Sequence, residues 1–277
     1  MLTAASALAA TGPGTSAAQA LPGNKPGPAV TGDLAGLRAD LLRVASQRIF
    51  FGHQSIGDNL LEGVRQLAAQ AGVALQITER ATAAGLAVGT LAHSHVAENT
   101  QPLQKLKSFE QAMGPASAGL DTALLKFCYI DFTAETDVAN LFAQYQSTMA
   151  RLRALNPGMR LVHVTAPLTT VPSGAKALFK RLLGRAPYGV LENRQREAYS
   201  QLLRRAYAGR EPLFDLARIE SSRTDGSPFT VEWQGAQVPA LVPAYSTDGE
   251  HLNTEGQLRA ARALIAVLAN TTPGSTS

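Results

Sequence analysis

The chain has 277 residues, 45% of them hydrophobic and 17% charged, which is enough apolar material for a substantial core and excludes global disorder. A net charge of +4 lacks the concentrated positive footprint that a nucleic-acid backbone demands, so no nucleic-acid partner is expected. The single cysteine, Cys128, excludes an intrachain disulfide and a clustered thiolate metal site, and its place in the apolar run "LLKFCYIDF" reads as a buried, inert thiol.

Residues 1–20 are uncharged, rich in alanine, threonine and serine, and end in "AAQA", a small-x-small cleavage pattern after Ala20. They read as a signal peptide whose basic start lies upstream of Met1, which implies a secreted or periplasmic protein; a merely unstructured N-terminus is the alternative. Elsewhere no run approaches the roughly 20 apolar residues of a membrane span, so no transmembrane segment is expected. "LPGNKPGPAVTG" (21–32) reads as a Pro/Gly linker, residues 33–270 as one domain and 271–277 as a flexible tail.

Within the domain, 33–47 has apolar residues at helical spacing, with Asp33 as a candidate N-cap. "RIFF" (48–51) is a short buried strand with Gly52 to Ser55 as its exit, followed by a helix over 56–71 and a strand over 73–79. Residues 80–102 show no stable period and read mostly as loop. A helix is predicted over 103–113, the strongest strand over 122–132, and a helix from near Thr133 or Glu135 to just before Pro157. "MRLVHVTAPL" (159–168) is a further strand. "KALFKRLLGR" (176–185) is a solvated amphipathic helix, with a membrane or anionic-ligand face as the alternative. Then come a helix over 189–209, a short strand within 212–220 ending at Asp215, a small hairpin around "FTVEWQGAQVP", and a last helix over 254–270. Alternating buried strands and helices predict an α/β protein: a three-layer α/β/α sandwich, flavodoxin-like, around a mostly parallel sheet of about five strands.

Ligands of such sheets collect at the carboxyl ends of the strands. Ser55, Asp131, Thr165 and Asp215 all follow strands at that end. Ser55 also opens a helix, where unpaired N–H groups favour developing negative charge. It either caps that helix or attacks a carbonyl, and attack needs a base with an orienting group. "DGEH" supplies both, as Asp248 and His251, before the last helix. On the alternative reading Asp248 holds a turn while Asn253 or Thr254 caps the helix.

These two blocks, "FFGHQSIGDNLLEG" and "STDGEHLNTEG", resemble those of the SGNH or GDSL hydrolases, a Gly-Asp-Ser block after the first strand and an Asp-x-x-His block before the last helix. The resemblance spans roughly residues 46 to 270. It implies Ser55 as nucleophile, His251 as general base and then acid, Asp248 as its orienter, and esters, often acyl or acetyl groups on carbohydrates or lipids, as substrates. It implies no metal or organic cofactor. The chain departs from the pattern at "HQ", which places His53 and Gln54 in an altered elbow one residue longer. Asp131 also stands where an asparagine is expected. Asn99 is the substitute oxyanion donor, or a loop-capping amide; Asp131 is a site residue, or a helix cap. His53 is a structural hydrogen-bonder of the elbow, or touches the substrate. His93 and His95 form an HxH pair without a partner at a recognised metal spacing, and His163 reads as a core residue satisfied by a backbone group. The function expected is hydrolysis of an acyl or acetyl ester of a polar, carbohydrate-like small molecule or glycan. The rival is a catalytically inactive glycan-binding or structural protein on the same fold. A second and weaker rival is a cytoplasmic nucleotide-binding protein, since "FFGHQSIG" lacks both the G-x-G-x-x-G spacing and the lysine of a phosphate loop.

Overall fold

The computed structural model describes residues 33–114, 119–172, 174 and 183–271. The expected leader and linker, nearly all of the tail and most of the basic segment 176–185 lie outside these residues.

One sheet of six parallel strands runs through the molecule: β1 (Arg48–His53), β2 (Gln76–Glu79), β3 (Thr90–His95), β4 (Thr122–Leu125), β5 (Arg160–Val164) and β6 (Leu213–Phe214). Their spatial order is β2-β3-β1-β4-β5-β6. Five of the six answer to the strands read from the sequence. The sixth, β3, lies in the segment expected to be loop and inserts between β1 and β2, leaving the rest in flavodoxin-like order. Its polar second half, His93, Ser94 and His95, hides a strand whose first four residues are buried.

Side chains alternate across the sheet and build two cores. Ile49, Phe51, Leu91 and Val162 pack on α1 (Leu34–Val44), α2 (Ile56–Gln70) and α7 (Thr254–Ala269). Phe50, Ala92, Ala123 and Leu125 pack on α3 (Pro102–Met113), α4 (Val138–Leu155) and α5 (Val190–Tyr207). The result is a three-layer α/β/α sandwich. Asp33 caps α1 as expected, its Oδ1 accepting from Gly36 N–H at 2.7 Å. A short helix, α6 (Leu216–Glu220), follows β6, and β7 (Thr230–Trp233) pairs antiparallel with β8 (Ala236–Pro239) as the expected hairpin.

Several boundaries differ from expectation. β1 continues through Gly52 to His53, because both residues stay in register with β3. β4 stops at Leu125 instead of running to residue 132; the chain then turns through a 3-10 turn at Tyr129–Asp131, held by the buried Asp131 carboxylate. α4 starts at Val138, capped by Asp137, because Thr133 N–H donates to Thr136 Oγ1 at 2.8 Å and closes a separate turn before it. β5 likewise ends at Val164, short of Pro167.

Candidate active site

The central strand β1 hands the chain directly to α2, and Ser55 occupies the N-cap position between them. Its side chain makes no capping hydrogen bond, and among the described residues its hydroxyl makes none at all, to His251 or to any other group. Next to it Ile56 places its backbone N–H at the helix N-terminus, where such groups lack intrahelical acceptors. Gln54, the extra residue of the elbow, donates through Nε2 to the Ala97 carbonyl at 2.5 Å and fastens the elbow to the loop after β3.

In the loop before α7 the Asp248 carboxylate organises its own turn. Oδ1 accepts from the backbone N–H groups of Glu250 (2.8 Å) and His251 (2.7 Å), and from Ser246 Oγ (3.1 Å). Oδ2 pairs with His251 Nδ1 at 2.7 Å. Some desolvation works against the charge, yet the two backbone donors, His251 Nδ1 and Ser246 hold the Asp248 carboxyl well below the usual carboxylate range. Asp248 is therefore ionised and aligned on one nitrogen of His251. The helix cap falls to Asn253, whose side chain accepts from Gly256 N–H at 3.1 Å. Gly249 takes φ +91°, a left-handed conformation that suits glycine, and its carbonyl accepts from Thr170 N–H at 2.8 Å.

One contact joins these two segments and a second steadies His251 from the loop after β4. Asn59, in the first turns of α2, accepts at Oδ1 from Leu252 N–H at 3.1 Å and so joins the Ser55 helix to the His251 loop. The Tyr129 ring stands edge-on to His251 with centroids 5.9 Å apart, while its hydroxyl donates to Glu250 Oε2 at 2.6 Å. Beside them opens a pocket of about 180 Å³ lined by Tyr129, Thr133, Thr169, Tyr188, Arg196 and Glu250. Arg196 is buried and reaches Thr169 Oγ1 at 2.9 Å, Asn193 Oδ1 at 2.6 Å and the Tyr129 carbonyl at 3.0 Å.

Asn99 lies exposed in the loop after β3, and its Oδ1 accepts from Lys105 Nζ at 2.9 Å. Because an ammonium only donates, the amide oxygen must face Lys105, and the Asn99 NH₂ group points elsewhere as a donor. Lys105 is itself fully buried and bound to Asp131 at 2.7 and 2.8 Å. Asp131 also accepts from Thr100 N–H (2.9 Å) and Cys128 N–H (2.7 Å). Asp131 thus holds a turn and the Asn99 loop, and it does not cap α4. Thr165 and Asp215 serve the frame: Asp215 caps α6 and binds Arg204 at 2.8 Å, and Thr165 donates to Asp215 at 3.2 Å.

The remaining histidines divide between the elbow and the core. His53 is buried, and its Nε2 lies 3.1 Å from His93 Nδ1. Burial, then the Lys126 ammonium, push its pKa down to about 3, so His53 is neutral near pH 7. An added Cβ at Gly57 would collide with this ring, so glycine is what lets α2 start against it. His95 pairs with Asp58 at 3.0 Å and Glu79 at 3.3 Å; the Asp58 bond, foremost, raises its pKa. His163 is a core residue, but side chains satisfy it rather than a backbone group: Tyr145 OH at 2.7 Å and Glu211 at 3.1 Å. Cys128 is buried, as expected.

Sequence reasoning missed Lys105, Lys126, Asn59, Tyr129 and Glu220. Lys105 carried a signal, since it falls on the buried stripe of α3 with Leu106, Phe109, Ala112 and Met113. Lys126 interrupts the apolar run "ALLKFCYI" and is fully buried, donating to the Phe127 carbonyl at 3.1 Å. Glu220 is equally buried, and burial raises its pKa to about 8 against the single N–H it accepts from Leu168.

No protein-family model matches this chain, and no curated protein does. It is similar to a solved structure described as a platelet activating factor from Streptococcus pneumonia, with 13% identity, 85% of this chain and 90% of that chain covered, and a TM-score of 0.47. It is also similar to a lipolytic protein of the G-D-S-L family from Desulfitobacterium hafniense DCB-2, at 9% identity over 79% of this chain and 99% of that one, TM-score 0.44. A peptidoglycan O-acetylesterase matches at 16% identity over 65% of this chain and 46% of its own, TM-score 0.41. No helix among the described residues is long and apolar enough to cross a membrane.

Proposed function

We propose that this protein is a serine ester hydrolase of the SGNH type, acting on an acyl or acetyl ester of a polar, carbohydrate-like alcohol. The observation that carries the reading is the 2.7 Å contact of Asp248 with His251 Nδ1, in a loop that Asn59 ties to the helix opened by Ser55. With Nδ1 engaged, Nε2 is the nitrogen left to take a proton. Ser55 Oγ attacks the ester carbonyl carbon while its proton passes to His251, and the ionised Asp248 stabilises the resulting imidazolium. The oxyanion is held by the Ile56 N–H and the Asn99 amide, which Lys105 orients. His251 then protonates the departing alcohol, and water, deprotonated by the same ring, releases the acid and restores Ser55.

The pocket beside His251 supports the polar alcohol: two tyrosines, Thr133, Arg196 and Glu250 offer donors, acceptors and ring faces for a hydroxyl-rich group. Export belongs to the same reading, so protein recovered from its native cell envelope should begin at or near Leu21. One observation favours the rival, an inactive glycan-binding protein: the hydroxyl of Ser55 makes no hydrogen bond to His251. Hydrolysis of short acyl esters by the wild type and by Ser55→Ala separates the two.

A further inference from the structure

β1 and β3 run parallel in a register that sets His53 opposite His95. Residues two apart on a strand share a face, so His93 and His95 stand on the same side of the sheet as His53. The ring centroids of His53 and His95 are 4.9 Å apart, and those of His53 and His93 are 5.1 Å apart. α2 adds a carboxylate to this group. Its first turn carries Asp58, whose Oδ2 lies 3.0 Å from His95 Nε2. One donor atom from each of His53, Asp58 and His95 falls within 4.8 Å of the others.

We infer that His53, Asp58 and His95 form a zinc site that fastens the start of α2 to β1 and β3, with Ser55 lying between His53 and Asp58 in the chain. Two imidazoles and one carboxylate are a donor set that Zn²⁺ accepts, with water in the fourth position. Zinc–ligand bonds of about 2.0–2.1 Å in a tetrahedron set the donors about 3.3 Å apart, so closing the site asks for a contraction of about 1.5 Å at most. The surroundings are those of a metal site as well. Glu79 Oε1 lies 3.3 Å from His95 Nδ1, which lets His95 give Nε2 to the metal while its other nitrogen donates to a carboxylate. His93 stands against His53 in the same way at 3.1 Å. Gly57 completes the arrangement, because any side chain there would fill the space the His53 ring occupies. The inference does not depend on ester hydrolysis: the role given to the ion is to join three elements, with water in its open position.

The test is a zinc titration of the full chain, freed of metal by chelation and followed by calorimetry, with Co²⁺ as a spectroscopic substitute. The wild type should bind one Zn²⁺ per chain, melt at a higher temperature when loaded, and show visible cobalt absorption of a low-coordinate site. Ser55→Ala and His251→Ala should bind zinc as the wild type does. His95→Ala and Asp58→Asn should lose affinity by at least about 100-fold and lose the cobalt spectrum; both side chains are about half exposed, so the fold should survive, as circular dichroism would show. Glu79→Gln, further out still, should weaken binding by about 10- to 100-fold. Absence of stoichiometric zinc in the wild type, or equal affinity in folded His95→Ala protein, overturns the site and leaves His95 as a plain ion-pair bridge.

Discussion

Asn59 Oδ1 accepts the N–H of Leu252 at 3.1 Å, so the helix that starts after Ser55 and the loop that carries His251 are held by one side chain. Removing it leaves both segments folded and packed in one core, but takes away the hydrogen bond that sets the loop on the helix. Asn59→Ala should cost about 1 kcal/mol of stability. It should lower kcat by about 10- to 100-fold with little change in KM, since misplacing a catalytic group costs rate more than binding. Equal kcat in the two proteins would show that the tether does not align the pair.

Asp248→Asn keeps the size of the side chain but removes the charge that faces His251 Nδ1. Activity should fall, though less than for Ser55→Ala or His251→Ala, because the attacking pair remains. The deeply depressed Asp248 carboxyl stays ionised through the neutral range, so the loss should persist across pH and not appear as a shifted acidic limb. A pH–rate profile of the variant checks this.

The buried Lys105–Asp131 pair predicts a split between stability and rate. Asp131→Asn should destabilise by about 3–5 kcal/mol, because it leaves a buried ammonium without its counter-charge. Replacing both members with Met and Leu should recover only part of this, since the N–H groups of Thr100 and Cys128 lose their acceptor. Asn99→Ala, which takes one of several acceptors from the buried Lys105 ammonium, should lower stability by less than Asp131→Asn and reduce turnover by about 100- to 1000-fold. A loss of turnover no larger than the loss of stability accounts for would assign Asn99 to holding its loop.

Most of the fold was legible because it rests on patterns that survive in one dimension. Asp33 before an apolar period, the continuous apolar stretch of "RIFF" and the hairpin at "FTVEWQGAQVP" each state a local preference that packing then uses. β3 was not legible, because half of it is polar and its meaning lies in the register with β1. The same blindness hid the grouping of His53 with His95, which are neighbours only across that register. Lys105 sat in plain view on the buried stripe of α3, yet its partner Asp131 is reached only through the fold. On the candidate site, the Asp248–His251 spacing could be read from the chain, whereas Asn59, Tyr129 and Glu250 gain their roles from the closing of the α7 loop over the sheet edge.

Glu220 gives a pH dependence with a definite sign. Its folded pKa of about 8 lies above the ordinary 4.5, so the folded state prefers the protonated acid. The stability this contributes is complete below about pH 4.5 and is lost as pH rises through about 8. Glu220→Gln should remove that dependence, which amounts to on the order of 5 kcal/mol across the whole window. Urea unfolding midpoints at about pH 5 and about pH 9 should differ in the wild type by more than in the variant.

The central claim is that Ser55 attacks an ester. Ser55→Ala removes the hydroxyl and little else, so the variant should keep the wild-type melting temperature. Turnover of a panel of acetyl and short acyl esters by the two folded proteins is the most direct measurement. The nucleophile role predicts a fall of at least about 1000-fold in the variant. Equal rates, or no turnover by the wild type across the panel, would remove Ser55 from the chemistry and leave a glycan-binding protein in its place.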